Sequence, residues 1–399
     1  LKKNALSLGT NIFAAGEIVK ITREGHIDLP LSFDGERQAL FIRTEDGFRI
    51  IPLVADVKKI YVEVTTQCNF SCLTCIRNSW RDELGHMGGE TFARLMDNLG
   101  ELPHLQTVHF GGFGEPLSHP GIFEMLKAVK GLGLRTEMIT NGSLLSEKFI
   151  KELINLGLDV LYVSLDGPDE EEYNQIRQGA DFNQVFNNIL NLNRIKKELG
   201  VDNPKLGIEF VAMKKNFHKL PKLMRLAWEI KAHTVVVTNV LPYHQSLKDE
   251  ILYDMDDTGE LFGNQSWLLM MQAQMPYMKL RTERYCKFIE EKTMSINFKG
   301  NVSPCYALMH SYRCFIYDRE KEIIPCHLGN IHEKSLRDIW NDPGYVNFRL
   351  AVKNFRFPSC TDCKFLDGCS MADTNEMDCW GNSPSCAECL WSRKIIACP

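Results

Sequence analysis

Cys68-Asn69-Phe70-Ser71-Cys72-Leu73-Thr74-Cys75 is the stretch whose reading decides the fold. It puts three thiols into one short loop at C-x3-C-x2-C spacing, directly after a β-rich run at 58–64. Three thiolates so placed can wrap a soft metal centre. With only three protein ligands, one iron of a 4Fe–4S cluster stays open to bind a substrate or cofactor. On these residues alone the alternative is a zinc site of Cys3His type, with His86 as fourth ligand.

Working outward, β-rich runs at 58–64, 107–110, 134–139, 160–165, 206–213 and 234–240 alternate with helix-period runs such as 121–130 and 182–199. Ser146 is placed to cap a helix that ends at Gly157. Six βα units in series imply a parallel sheet, because parallel strands need crossover helices. Six are too few for a closed eight-stranded barrel. The expected fold is therefore α/β, a partial (βα)6 barrel of TIM type, with a doubly wound sheet as the alternative. Strand C-termini share one face, and the next three strands each end there in a glycine-bearing loop: Gly111-Gly112-Phe113-Gly114-Glu115-Pro116, Thr140-Asn141-Gly142 and Ser164-Leu165-Asp166-Gly167. These loops and the cysteine loop should surround one pocket.

The remaining chain divides around this core. Residues 1–56 read as a small β-rich piece with a hairpin turn at Glu45-Asp46-Gly47, 57–240 as the barrel, 241–285 as a connecting region with a helix near its end, and 286–399 as a Cys-rich domain. Of 14 cysteines, three lie in the loop and eleven between 286 and 398. The chain opens on no apolar leader and holds no run near the roughly 18 apolar residues of a membrane span. A cytoplasmic, reduced protein is expected, so these cysteines read as cluster or metal ligands rather than disulfides. The Cys-rich region has too little apolar material for its own core and is expected to rely on metal staples. A net charge of −5 argues against nucleic acid held by a bulk positive field.

The ordered set of motifs over about 58–240 resembles the radical S-adenosylmethionine (SAM) enzymes. The resemblance implies that Cys68, Cys72 and Cys75 hold a 4Fe–4S cluster whose open iron is chelated by SAM. Gly112, Gly114 and Glu115 match the family's glycine–glutamate motif at the methionine amino group, although Gly-Phe-Gly-Glu-Pro replaces the contiguous form. Ser164 and Arg177 match positions that bind the ribose or methionine carboxylate, and Asn141 and Asp166 lie on loops facing the cofactor. The family's aromatic residue before the last cysteine is here Thr74, leaving adenine stacking to another residue such as Phe70.

The C-terminal cysteines resemble a SPASM domain, which implies up to two auxiliary 4Fe–4S clusters. Cys286, Gly300 and Cys305 fit its opening, with Gly300 in a hairpin turn, and Cys360-x2-Cys363-x5-Cys369 fits its middle signature. The family's next cysteine is Asp373 here. Cys379 is preferred in that role because thiolate is the softer ligand. The expected division is Cys286, Cys305, Cys326 and Cys379 for one cluster. Cys360, Cys363 and Cys369 with one of Cys386, Cys389 or Cys398 hold the other. Cys314 reads as a small core residue or a substitute for Cys326.

The resemblance implies reductive cleavage of SAM to a 5′-deoxyadenosyl radical, fed by a low-potential donor such as ferredoxin or flavodoxin, and hydrogen abstraction from a substrate. SPASM enzymes mostly modify peptides or proteins, and the run 378–391 is most similar to the maturases associated with tungsten-containing aldehyde ferredoxin oxidoreductases. A peptide or protein substrate is therefore expected. The alternatives are a small cofactor precursor and a non-catalytic iron–sulfur carrier, the last disfavoured by the SAM loops. His109 reads as a packed or hydrogen-bonded strand residue, Lys214-Lys215 as a solvated turn, and the Met-rich stretch 267–278 as core.

Overall fold

The computed structural model describes residues 54–253 and 284–398, together with the backbone of five short strands outside them. Those five are β1 (Lys20–Ile21), β2 (Ile27–Asp28), β3 (Gln38–Thr44), β4 (Gly47–Leu53) and β11 (Gln272–Gln274). β3 and β4 pair antiparallel from Gln38↔Leu53 to Thr44↔Gly47, in the expected hairpin. Apart from the backbone of β11, the Met-rich stretch lies outside the described residues.

The core strands are β5 (Lys59–Glu63), β6 (Thr107–Gly111), β7 (Arg135–Thr140), β8 (Val160–Ser164), β9 (Lys205–Ala212) and β10 (Thr234–Asn239). They lie side by side in chain order, all parallel. This order decides between the two candidate folds. A doubly wound sheet reverses direction at a switch point. An unbroken order with right-handed crossovers puts every helix on one face and lets the sheet curl around the other. The sheet stays open, as a partial barrel does.

Its helices follow from local signals. Residues Phe182–Leu199 bury Phe182, Val185, Ile189, Leu192 and Ile195 along one face, start at an Asp181 cap and stop at Gly200, whose φ is +66°. Ser146 caps the helix Glu147–Asn155 by accepting from the Phe149 amide.

The Cys-rich region continues the barrel sheet. β12 (Thr293–Ile296) pairs parallel with β5, and β13 (Asn301–Ser303) folds back on β12 around Gly300, at φ +81°. β14 (Tyr312–Ile316) and β15 (Arg319–Ile323) form a hairpin, and β16 (Gly329–Asn330) edges β13. Met294, Ile296, Val302, Leu336, Ile339 and Trp340 are buried in the same hydrophobic cluster as the barrel strands. Part of this region's apolar material is thus buried in the barrel's core rather than in a core of its own. Among the described residues, no helix is long and apolar enough to cross a membrane.

Candidate active site

β5 runs directly into the cysteine loop, which is pinned by its backbone. The Ser71 and Leu73 amides donate to the carbonyls of Gln178 and Ile176 at 3.0 and 2.8 Å. The Tyr243 hydroxyl donates to the Leu73 carbonyl at 2.8 Å. Cys68, Cys72 and Cys75 are free and half-buried, and all three line one cavity of about 260 Å³. Burial pushes the Cys72 thiol up to about 11 and raises Cys75 too. A thiolate in this place needs a positive partner.

The three glycine-bearing loops reach the same cavity, with Gly112, Gly114, Glu115, Asn141, Ser164 and Arg177 on its wall. Two glycines are required by contacts. A Cβ on Gly112, at φ +114°, would lie 2.5 Å from Glu63 Cγ, and one on Gly114 would lie 2.2 Å from the Thr65 carbonyl. Glu115 accepts from Thr140 Oγ1 (2.8 Å), Leu117 N (3.0 Å) and Asn141 N (2.7 Å). A carboxylate has about four acceptor sites, so one remains for a ligand donor. Burial is the main cause of its raised pKa. Asn141 Nδ2 bonds Asn69 Oδ1 at 2.8 Å and approaches Cys68 Sγ at 3.8 Å, stitching the third strand's loop to the cysteine loop.

Asp166 is fully buried behind this wall. Its Oδ2 lies 2.9 Å from Arg177 Nε, and its Oδ1 accepts from the Val211 amide at 2.8 Å. Desolvation pushes Asp166 up; Arg177 counters it. Phe70 is also buried and packs beside Gly179, with the Gly179 Cβ position 3.8 Å from its ring. It is not among the cavity's lining residues, whereas Thr74 and Ile76 are.

Two cavity residues escaped the sequence reading. Glu209 lies in mid-β9 and accepts from Ser164 Oγ at 3.4 Å, and desolvation pushes its carboxyl up to about 7. A lone carboxylate inside an otherwise apolar central strand was the available signal. His109 is hydrogen-bonded as expected, through Nδ1 to Glu137 Oε2 at 3.4 Å, but its buried Nε2 has no partner and it lines the cavity. Glu137 is held ionised by His109 and Lys59, the latter at 2.8 Å. An ionised carboxylate only accepts, so it fixes the proton on Nδ1 and leaves Nε2 an acceptor. Desolvation pushes His109 down to about 4.

The C-terminal cysteines gather in two neighbourhoods. Cys286, Cys305, Cys386 and Cys389 act electrostatically on one another. Cys360 is influenced by Cys379 and Cys369, and the backbone turn from Cys360 to Cys363 brings Cys363 alongside. Cys379 thus lies near Cys360 and Cys369. Lys321 Nζ donates at 2.9 Å to the Ala372 and Thr374 carbonyls and to Glu388 Oε2, tying the segment that leads to Cys379 to the segment that carries Cys389. Cys398 lines the barrel cavity, packs against the same cluster as Cys286 and Cys305, and receives a hydrogen bond from Trp391 Nε1 at 3.3 Å. Cys326 influences Cys386, and Cys314 is buried in core.

Comparison with known proteins agrees with this geometry. Residues 62–227 match the model of the radical SAM superfamily, and 286–364 match SPASM, an iron–sulfur cluster-binding domain. The tungsten-containing aldehyde ferredoxin oxidoreductase cofactor-modifying protein of Pyrococcus furiosus is 38% identical over 347 residues, covering 86% of this chain and 97% of that protein. The chain belongs to the radical SAM superfamily. The PqqA peptide cyclase of Bradyrhizobium diazoefficiens is 25% identical, over 62% of this chain and 66% of the relative. Streptococcus suis SuiB bound to S-adenosylmethionine shares the fold at TM-score 0.57 and 19% identity, covering 79% of this chain and 72% of the other.

The residues present fit this radical SAM enzyme's cofactors, 4Fe–4S clusters and SAM. The three loop thiols line one cavity together with the polar loops, and Cys72 and Cys75 are desolvated there.

Proposed function

We propose that this radical SAM enzyme abstracts a hydrogen atom from a peptide or protein and serves as a maturase linked to a tungsten oxidoreductase. Cys68, Cys72 and Cys75 hold the SAM-binding cluster. Cys286, Cys305 and Cys389, with Cys386 or Cys326, hold one auxiliary cluster, and Cys360, Cys363, Cys369 and Cys379 hold the other. A low-potential ferredoxin or flavodoxin supplies electrons. When bound, the reduced cluster and SAM supply a carbon-centred radical by one-electron cleavage.

The chain's own residues orient and enclose. Glu115 offers its free acceptor site to the methionine amino group. Arg177, kept charged beside Asp166, faces a carboxylate, and Ser164 with Glu209 faces the ribose hydroxyls. Asn141 holds the Cys68 side of the loop. His109 Nε2 offers the substrate a hydrogen-bond acceptor from inside the barrel. Tyr306, Trp391 and Cys398 come from the C-terminal region and close the cavity against water.

The observation that carries the peptide reading is the cavity itself. It is shared between the cysteine loop and the C-terminal region, and at about 260 Å³ it is small. Small-molecule sites run to roughly 300–1,000 Å³. The similarity to a PqqA peptide cyclase supports the same reading. A second reading, a small cofactor precursor as substrate, is favoured by the name of the P. furiosus relative and by a 26% identical probable GTP 3′,8-cyclase from Methanococcus maripaludis.

The test is 5′-deoxyadenosine formation under anaerobic reduction, with a tungsten oxidoreductase polypeptide, short precursor peptides or GTP added in turn. A rise with a polypeptide, and a mass change on it, supports the first reading. A rise with the nucleotide alone supports the second. No 5′-deoxyadenosine under any condition refutes both.

A further inference from the structure

Glu63 ends β5, five positions before Cys68, and is fully buried. Its Oε1 accepts from the Phe113 amide at 3.0 Å, and its side chain fills the space that a Cβ on Gly112 would need. Its Oε2 accepts from His310 Nε2 at 2.7 Å. The other nitrogen of His310, Nδ1, lies 2.9 Å from Oδ2 of Asp82, seven positions after Cys75. Ser311 adds its amide and hydroxyl to Asp82 at 3.3 and 2.5 Å. Trp80 stacks on the His310 ring at 4.0 Å, and Phe113 meets Trp80 edge-on at 5.0 Å.

One histidine from the Cys-rich region therefore touches the chain before the cysteine loop, the chain after it, and, through Glu63, the loop that ends in Glu115. Both partners are carboxylates and accept only, so both ring nitrogens donate and the ring is an imidazolium. The titratable groups around it are Glu63, Asp82 and the buried Tyr306 hydroxyl, which is influenced by Glu63.

We propose that His310 is a positioning residue for SAM: it fixes Glu63, Glu63 fixes the Gly112–Glu115 loop, and the C-terminal region thereby sets the barrel's affinity for its cofactor. The proposal rests on reading Gly112–Glu115 as the SAM-binding loop. His310 is not on the cavity wall and acts only through the loop. The clamp weakens as pH rises through the raised pKa of His310 and its Glu63 bond loses the charge on the donor.

The test uses cluster-loaded enzyme, SAM as probe, equilibrium binding, and hydrogen exchange of the Phe113 amide. His310→Gln and Glu63→Gln should each weaken SAM binding about tenfold, the effect of losing one charge-assisted hydrogen bond. Phe113 exchange should speed up, and iron content should be unchanged. The double variant should be no worse than either single one, because both break the same chain of contacts. The wild type should lose affinity at alkaline pH more steeply than His310→Gln. Asp82→Asn touches only the outer arm and should shift affinity in the same direction by less, which keeps the test available if His310→Gln folds poorly. Additive effects, or unchanged SAM affinity in His310→Gln, would overturn the clamp. Glu115→Gln separates the two ideas. If it leaves SAM affinity intact, the reading of the loop fails; if it weakens binding and His310→Gln does not, the clamp fails.

Discussion

The molecule gathers cysteines in two ways. In the loop 68–75, three thiols share one turn, and their relative placement is set by eight residues and two backbone contacts to 176–178. Between 286 and 398, eleven thiols are sorted by contacts far apart in sequence: Lys321 with Glu388, Arg319 with Glu388, and β12 against β5. The first arrangement is local and the second is tertiary. The lesson is that ligand spacing identifies a centre only where the ligands share an element.

The largest test of that contrast is Cys72→Ala. It should abolish 5′-deoxyadenosine formation while leaving the C-terminal iron in place, since the two cysteine sets load independently. Iron counting and Mössbauer spectra of the variant check this. Joint loss of all clusters would merge the two regions into one assembly unit.

Next comes the sorting of the C-terminal thiols. Cys286→Ala and Cys389→Ala should each remove one cluster, about four irons, and the double variant should remove no more. Cys360→Ala and Cys379→Ala should behave as a second such pair. Shared loss between Cys286 and Cys379 would restore the division that the family's pattern suggested.

The barrel was legible because its signals are local. Six apolar runs, the Ser146 cap and three glycine-bearing loops each report on their own few residues, and the chain-order sheet follows from short crossovers. The cavity roles of His109 and Glu209 were not legible. Whether a strand residue faces helices or barrel interior depends on how the sheet curls, and alternation alone does not say which face is which. Phe70 shows the same limit in reverse: it was expected to stack on adenine, but it is buried beside Gly179 and is not on the cavity wall. Which thiols lie beside Cys379 and Cys389 was not legible either, because contacts far apart in sequence, such as Lys321 with Glu388, set how those segments meet.

Glu388→Gln probes that lysine's work. Glu388 is 5% exposed and pairs with both Arg319 and Lys321, so the variant leaves two cations without their anion. Breaking a buried pair from one side costs about 3–5 kcal/mol. Chemical denaturation should show that loss, with auxiliary iron falling and loop iron retained. Stability unchanged within about 0.5 kcal/mol, the scatter of ordinary surface changes, would mean that the clusters alone order this region.

The smallest expected effect lies in the barrel and is read by pH. Burial lowers the folded pKa of His109 from 6.5 to about 4. The unfolded chain therefore binds the proton first as pH falls, and the neutral ring's contribution is present above 6.5, declines below it, and levels off near 4. The shift corresponds to at most about 3 kcal/mol. Glu137, lowered by its contacts with His109 and Lys59, loses its contribution in the same direction, at lower pH. Glu115, Asp166 and Glu209 are raised by burial and act with the opposite sign, since their contribution fades as pH rises. A bare stability curve mixes these terms. The informative quantity is the difference between wild type and His109→Gln, in which the amide keeps a donor for Glu137 but does not titrate. Wild type should lose stability relative to the variant between pH 6.5 and 4, and the difference should be flat above 7. A difference curve flat throughout would place a water-accessible, freely titrating ring at position 109, and with it a barrel interior open to solvent.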